Sequence, residues 1–455
     1  MITDKKTVLF EHTPIPKAVL ALAAPTVASS LVMILYNLAD TFFVGMLNDP
    51  VETAAVTYAA PLILAFNAVN NLFGVGSSSM MSRALGRKDY ETVRRSSAFG
   101  FYCSLICGIL LSLGVVLFNS PVLRVLGGNG ESMDALGEYI KWTVCFGAVP
   151  SILNVVLAYL IRAEGAALHA GIGTMSGCLL NIILDPLFIL PQFLDMGAAG
   201  AGLATFISNC VACLYFLIMI MAKGKNTYVC IKPSEFRLNA RIAGEVCKVG
   251  VPAAIQNLLN VTGMTVLNNF MSVYGDTAVT AMGIAHKIAM IPMYVSMGIS
   301  QGVMPLVGYN YSARNPQRTK SAVKFTCAAS LSFLAVMSSL MFIFSEQVIR
   351  AFMENPEVVE YGAAFMKAQA PAQLFLCMDF LAVGVFQACG LGLMSLIFAM
   401  LRKVVLEIPA IIVFDKLWPM YGIAYAQLFA ELVLAITAVV FIVRILRKFE
   451  RECKG

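Results

Sequence analysis

Charged side chains are scarce in this chain. Only 13% of its 455 residues are Asp, Glu, Lys or Arg, whereas 59% are hydrophobic. In soluble domains roughly a quarter of the residues are charged, because their surface faces water. So few charges cannot cover a water-facing surface. The composition therefore excludes a soluble globular protein and predicts one that is surrounded by lipid.

Motifs for nucleotide binding and for common catalytic centres are also absent. The sequence contains no GxxxxGK[ST], no HExxH and no GxSxG with triad partners, and it has only 3 histidines. We therefore predict neither an enzyme nor a cofactor. Without a nucleotide site, uphill transport is expected to draw on an ion gradient.

The 12 cysteines are scattered, and only Cys210 and Cys213 form a CxxC, inside an apolar run. We interpret them as small apolar residues and predict neither a metal nor a redox centre. The first residues are charged and mixed, so no signal peptide is predicted and the first span is expected to direct membrane insertion.

Long apolar runs make up most of the sequence. A helix that spans a membrane needs about 20 consecutive apolar residues. Twelve spans are predicted, which makes the fold class an all-α membrane protein with twelve transmembrane helices in two pseudo-symmetric six-helix lobes. The spans are about 15–45, 54–81, 95–118, 135–161, 170–190, 198–222, 242–273, 277–305, 320–344, 359–387, 393–414 and 420–446.

The basic residues predict the orientation. With the N-terminus in the cytoplasm, most of the 32 Lys and Arg residues lie on the cytoplasmic side. Those left for the outer side are Arg124, Lys141, Arg350, Lys367 and Lys416. This asymmetry predicts a multi-pass protein of a bacterial cytoplasmic (inner) membrane with both termini cytoplasmic. Because the basic residues are spread over short loops, no nucleic-acid partner is predicted.

An internal repeat relates the two halves by a shift of about 226 residues. Pro25 matches Pro252, Gly76 with SRALGRKD matches Gly302 with GYNYSARN, and RAEG from Arg162 matches QACG from Gln387. The predicted domains are an N-terminal lobe (1–222), a linker loop (223–241) and a C-terminal lobe (242–455). Six spans per half make parallel repeats, which in transporters place a substrate site between the lobes and rock around it.

Two acidic residues lie inside spans of the first half, Asp40 in the first and Asp185 in the fifth. Asn181 precedes Asp185 by one helical turn and shares its face. If the two acids face each other, both cannot stay charged at low cost, and they titrate as a unit. The pair could hold a proton, or a sodium ion with oxygens of Asn181 and Thr205. It could also be a purely structural hydrogen-bonded pair. Pro25 is a candidate hinge because it removes a backbone hydrogen bond.

The second half has a different set of charges within its spans. They are Lys287, Asp379, Arg402, Lys403, Glu407 and Glu431, with His286 beside Lys287. Arg402 and Lys403 are expected to extend along the helix towards the membrane surface. The others could pair with one another or meet a cationic substrate, and pairing is the favoured interpretation. Polar residues assigned to a possible substrate cavity are Tyr36, Asn37, Asn154, Gln256, Asn260, Lys287 and Asp379.

Several of these segments resemble the multidrug and toxic compound extrusion (MATE) transporters. They are PTVASSLVMILYNLADTFFVG from Pro25, ALGRKD from Ala84, NIILDP from Asn181, MGAAGAGLATFIS from Met196 and GVPAAIQNLLN from Gly250. The resemblance covers essentially the whole chain and is nearest to the MepA-like branch. It implies export of drugs and organic cations in exchange for sodium ions or protons.

The resemblance also implies a cation site formed by Asp40, Asn181, Asp185 and Thr205, and a bend of the first helix at Pro25. A second site of the NorM type is not expected, since the seventh span has Gln256, Asn257 and Asn260 but no acid. We predict a secondary active exporter that works as a monomer in the bilayer. A lipid-linked precursor flippase or an exporter of one specific metabolite stays open as an alternative. An ion channel is disfavoured, because no filter loop is present.

Overall fold

The computed structural model describes residues 5–47, 49–128 and 130–454. Both chain ends lie outside these ranges, so their predicted cytoplasmic location depends on the basic residues of the loops alone. Within this part of the chain the fold is helical, without β-strands. The long helices are α1 (Ile15–Gly45), α2 (Pro50–Gly86), α3 (Tyr90–Leu117), α4 (Ser132–Phe146 and Ala148–Ala163), α5 (Ala167–Ile189), α6 (Gly197–Lys223), α7 (Ala240–Ser272), α8 (Asp276–Ser312), α9 (Pro316–Ile343), α10 (Pro356–Ala388), α11 (Gly392–Met400, Leu401–Glu407 and Ile408–Leu417) and α12 (Tyr421–Lys454). Short helices cover Lys5–Glu11, Asn119–Val125, Gly224–Asn226, Pro233–Glu235 and Ser345–Phe352.

Nine of these helices are long and apolar enough to cross a membrane, and α4, bent by 48° around Gly147, makes a tenth among the described residues. The other two, α7 and α11, have spanning length but carry several polar or charged side chains. Each of the twelve predicted spans coincides with one helix. The predicted fold class, twelve transmembrane helices in two lobes, is therefore confirmed.

Three of the helices contain a π-helical turn in the part of the chain that the structure describes: Asn70–Val75 in α2, Lys141–Phe146 in α4 and Leu401–Glu407 in α11. A π turn adds one residue to the helical repeat, which changes the direction of the following side chains, and such turns are frequent at functional sites. The turn in α11 carries three of the second half's charged residues.

The internal repeat extends to backbone detail in the matched loops. After α2, Lys88 has a φ of +58°, and the Asp89 carboxylate accepts from the Thr92 N–H at 3.1 Å at the start of α3. After α8, Arg314 has a φ of +54°, and the Asn315 side chain accepts from the Arg318 N–H at 3.0 Å. A side chain that caps the first turn of a helix defines where the helix begins. The two halves thus end and restart their helices in the same way.

The chain forms two compact units whose limits fall inside helices. One unit is Met1–Val27 with Ile255–Gly455, and the other is Ala28–Ala254. Membership changes within α1 and α7, in each case two residues after the matched proline, Pro25 or Pro252. The expected lobes, divided at the loop 223–241, remain a prediction about the membrane-spanning halves. The beginning of each half's first helix therefore belongs to the compact unit that contains most of the other half.

Glycines allow the beginnings of α1 and α7 to pack closely against the units to which they belong. A Cβ at Gly302 in α8 would lie 2.8 Å from both the Leu22 carbonyl oxygen and the Ala23 Cα of α1. A Cβ at the matched Gly76 in α2 would meet the Val246 carbonyl oxygen of α7 even more closely. Contacts this short with backbone atoms do not occur in folded proteins, so each position requires glycine.

Both segments that lead into the shared helices are held by hydrogen bonds. Before α1, the Phe10 carbonyl oxygen accepts from Arg318 Nε at 2.5 Å, and Tyr309 donates to Glu11 at 2.6 Å. Before α7, the Tyr228 N–H donates to the buried Glu164 at 2.6 Å. The segment predicted as a linker is therefore anchored to the unit that precedes it in sequence.

We expect Gly302→Ala to lower the free energy of unfolding by about 1–3 kcal/mol, the usual range when a packed interior is overfilled. Gly283→Ala is the matched control, because it lies in the same helix with nothing within 4 Å of an added Cβ. There the change should be neutral or stabilising by up to about 1 kcal/mol, since alanine favours helix. Unfolding of the purified protein in detergent measures both, and equal effects would contradict the proposed close approach.

Candidate functional site

The two acids predicted in the first half belong to one compact unit. Asp185 in α5 is completely buried, and Asp40 in α1 is partly buried. They lie close enough for the charge of Asp40 to act on Asp185. The two carboxyl groups, from separate helices of one unit, are therefore within range of an electrostatic interaction.

The Asn181 amide bridges Asp185 and α6. With its NH2 group towards Asp185 it donates to Oδ2 at 2.8 Å, and its oxygen accepts from the Thr205 N–H at 3.1 Å. The opposite orientation would point the amide oxygen at carboxylate oxygens, so hydrogen bonding selects the first one. In this arrangement Asn181 donates to the acid, and its oxygen already accepts a hydrogen bond from the Thr205 N–H.

Two tyrosines complete the surroundings. Tyr36, one turn before Asp40 in α1, forms a side-chain hydrogen bond with Thr205. Tyr139 in α4 is 5% exposed and lies close enough to both acids to interact with them electrostatically. Tyr36 was predicted as a cavity residue. No sequence pattern pointed to Tyr139, which looks like an ordinary aromatic residue of a span.

The site can hold a single small cation. Two adjacent carboxylates away from water tolerate each other only when a positive charge is captured between them or a proton neutralises one. Among the described residues no group of three or more His, Cys, Asp or Glu side chains could hold a metal ion.

The charges of the second half are paired inside one unit. Arg402 of α11 donates from Nε to Glu431 of α12 at 2.7 Å and from a terminal nitrogen to Asp379 of α10 at 3.2 Å. Pairing was the favoured interpretation for these acids, but Arg402 is the partner instead of Lys287. The expectation that Arg402 extends to the membrane surface is wrong, because it is 4% exposed and ion-paired.

Lys403 forms an ion pair with Glu407 one turn later, at 2.7 Å, so it also does not extend outwards as expected. Gly263 in α7 has no side chain and leaves room for the Lys403 stem. His286 lies near both Lys403 and Glu407. The neighbouring Lys287 is exposed and has no ion pair among the residues described.

The other predicted cavity residues have mixed surroundings. Asn154 is buried and donates to Asn209 at 2.8 Å. Asn37 is exposed, and Gln256 and Asn260 are partly buried in α7. Asp379 is 1% exposed and paired, which leaves almost no surface for a substrate. A cavity role for the remaining residues stays a prediction.

The repeat itself contained a signal for the charged cluster. The same shift of about 226 residues carries Asn181 onto Glu407 and Thr205 onto Glu431. Positions that are assigned to the predicted cation site in the first half are thus occupied by buried acids in the second.

Comparison with known proteins agrees with the repeat. The model of the MatE family matches the chain twice, over residues 25–187 and 252–413. The two matches are offset by the shift found in the sequence, which confirms the duplication, and together they cover well over half of the chain.

Curated relatives resemble the chain over nearly its full length. The multidrug export protein MepA of Staphylococcus aureus is 31% identical over 441 residues, 96% of both chains. MepA of Staphylococcus saprophyticus is 32% identical over the same length and the same shares.

Solved structures share the fold. A crystal structure described as MATE in complex with MaL6 superposes with a TM-score of 0.92 at 24% identity, covering 98% of this chain and 99% of the other. A MOP-superfamily transporter from Pyrococcus furiosus gives 0.90 at 24% identity, with the same coverage. With a family model matching both halves and relatives above 30% identity over almost all of the chain, this protein belongs to the MatE family, the MATE transporters, and is similar to its MepA members.

Proposed function

We propose that this chain is a secondary active exporter of drugs and organic cations, driven by inward flow of a cation that binds at Asp40 and Asp185. The observation that carries the proposal is that Asp40 of α1 acts electrostatically on Asp185 of α5, which is fully buried. An unpaired buried charge is rarely retained inside a membrane without a function. The drug chemistry rests on the MepA relatives.

The arrangement favours a proton over a sodium ion. A sodium ion needs several oxygen ligands to replace its water shell. Here the Asn181 oxygen accepts from the Thr205 N–H and faces away from the carboxyl group. The carboxylates and the Thr205 hydroxyl oxygen then remain as ligands for an ion, whereas a proton needs only one oxygen. Sodium at Asp40, Asn181, Asp185 and Thr205 would require the amide to turn round.

Cation binding is expected to act through α1. Neutralising the pair removes the repulsion on Asp40 and changes how this helix packs. Pro25 lies on the same helix and cannot donate a backbone hydrogen bond to Ala21. The compact units change two residues later, which supports this position as the hinge. Bending there would drive alternating access and displace the drug from a cavity between the lobes.

The positive-inside asymmetry supports both termini in the cytoplasm and a bacterial inner-membrane location. The chain would work as a monomer in the lipid bilayer, without a cofactor, and exchange its substrate for the coupling ion.

Asp40→Asn and Asp185→Asn should each abolish ion-driven efflux, because a neutral amide cannot take up the cation. The measurement is efflux of a fluorescent organic cation in everted vesicles, with sodium and pH gradients imposed separately. We expect the pH gradient to drive wild-type transport.

Asp195→Asn is the matched control, since Asp195 is exposed ten residues beyond Asp185, in a turn with a φ of +51° that Asn tolerates. It should transport like the wild type. Undiminished gradient-driven efflux in both site variants would refute the assignment of the cation site.

Pro25→Ala should restore the backbone donor and stiffen α1. We expect transport to slow by about tenfold or more, equivalent to roughly 1.4 kcal/mol, while pH-dependent protection of Asp40 from carboxyl-modifying reagent persists. Pro16→Ala is the control, because a proline in the first helical turn breaks no hydrogen bond. If both variants transport equally well, Pro25 is not the hinge.

A further inference from the structure

The SRALGRKD segment that ends α2 lies beside the start of α7, and basic side chains from the two helices come together there. Arg83 of α2 is buried and pairs with Glu245 of α7 at 2.9 Å. Arg87, one turn after Arg83, interacts electrostatically with Arg83 and with Arg241 of α7. All of these residues belong to the compact unit Ala28–Ala254.

Positive charge exceeds negative charge in this group, which we call the basic cluster. It consists of four basic and two acidic residues within electrostatic range of one another: Arg83, Arg87, Arg241, Lys248, Asp89 and Glu245. Both carboxylates are already engaged. Glu245 binds Arg83, and Asp89 accepts from the N–H and the hydroxyl of Thr92 at 3.1 and 2.6 Å. Two positive charges are left over, and three of the basic side chains are exposed to a ligand: Arg87, Arg241 and Lys248.

Topology alone does not explain the basic cluster. The positive-inside rule concerns the number of basic residues on the cytoplasmic side and does not require them to gather at one point. Basic side chains at close range repel one another, and an anion bound among them removes this repulsion. Arginine recognises phosphate groups through paired N–H donors, and lysine does so as a point charge. The arrangement is therefore typical of a site for phosphate.

The internal repeat indicates that the fold does not need these charges. The matched positions of Arg83 and Arg87 in the second half are occupied by Tyr309 and Ala313. Both halves nevertheless end this helix with a residue of positive φ and cap the next helix with a side chain. The arginines of the first half are thus not required to form the shared helix end.

One exposed face of α7 leads from the basic cluster to an apolar side chain. Arg241, Gly244, Lys248 and Val251 follow one another at intervals of three or four residues, which places them on one side of the helix. All four are exposed, and Val251 is exposed by 42%. A ligand on this face would meet positive charge near the helix start and an apolar surface farther along. This combination suits an amphiphile with an anionic head.

We propose that the basic cluster binds the phosphate group of an anionic phospholipid of the cytoplasmic leaflet, with the acyl chains along the exposed face of α7. Basic pockets between membrane helices on the cytoplasmic side suit such head groups. A zwitterionic lipid brings its own positive charge, and inorganic phosphate has no apolar part, so both should bind less tightly. The inference concerns neither drug export nor the coupling ion, and it can fail or hold independently of them.

Titration of the purified full-length protein in detergent with phosphatidylglycerol, followed by native mass spectrometry, measures the affinity. The test variant is Arg87→Gln with Arg241→Gln, which leaves the Arg83–Glu245 pair intact. We expect the Kd for phosphatidylglycerol to rise by about tenfold or more, because each basic residue near an anionic lipid strengthens its binding. Phosphatidylcholine with the same acyl chains should bind the wild type as weakly as phosphatidylglycerol binds the variant.

Arg444→Gln with Arg447→Gln is the matched control, because it removes two exposed basic residues from the end of α12 and lowers the net charge equally. It should bind phosphatidylglycerol like the wild type. Arg87→Lys with Arg241→Lys keeps both charges and should retain most of the affinity. Equal losses in the test variant and the control overturn the proposal, as does equal wild-type affinity for the two lipids. Displacement of phosphatidylglycerol by inorganic phosphate at the same concentration overturns the assignment to a lipid.

Thermal stability gives a second test. A ligand that binds only the folded state raises the Tm. Phosphatidylglycerol added to the detergent should raise the Tm of the wild type and of the Arg444→Gln, Arg447→Gln control by more than that of the Arg87→Gln, Arg241→Gln variant. Equal shifts in all three proteins would contradict a site at the basic cluster.

Discussion

A charge that leaves water must be neutralised nearby, and this constraint explains most of the polar structure of the protein. The acids that were predicted inside the spans gather in two places, whereas the lysine Lys287 is exposed. In the proposed site around Asp40 and Asp185 the neutralising charge would come from an exchangeable ion, whereas around Arg402 the protein supplies a positive charge itself. The first arrangement suits a group that must change state, and the second suits a group that joins three helices.

The two arrangements occupy related positions of a duplicated fold. Glu431 stands where the first half has Thr205, and Glu431 is buried whereas Thr205 is partly buried. The repeat keeps backbone features more faithfully than side-chain chemistry, as the matched left-handed residues Lys88 and Arg314 illustrate. A duplicated helix bundle can therefore retain its caps and close contacts while its buried polar groups diverge.

Composition and hydropathy were sufficient to predict twelve helices, because lipid imposes helical structure on any spanning segment. The spacing of Asn181 and Asp185 correctly indicated a shared helical face, since local periodicity determines it. The partners of Arg402 were not predictable in this way: they lie 23 and 29 residues away, on other helices, and only tertiary packing selects them. The division within α1 and α7 was missed for the same reason, because unit membership depends on contacts distant in sequence.

Gly302 and Gly76 have a consequence for the independence of the two halves. Each glycine forms a backbone-lined groove that the start of the opposite half's first helix fills. A six-helix half expressed alone would leave its glycine-lined groove unfilled. The beginning of its own first helix would also lack the groove against which it packs in the full chain. Two separate copies could satisfy each other only by exchanging these ends, as in a domain-swapped dimer. Joining them in one chain makes that exchange intramolecular and independent of concentration.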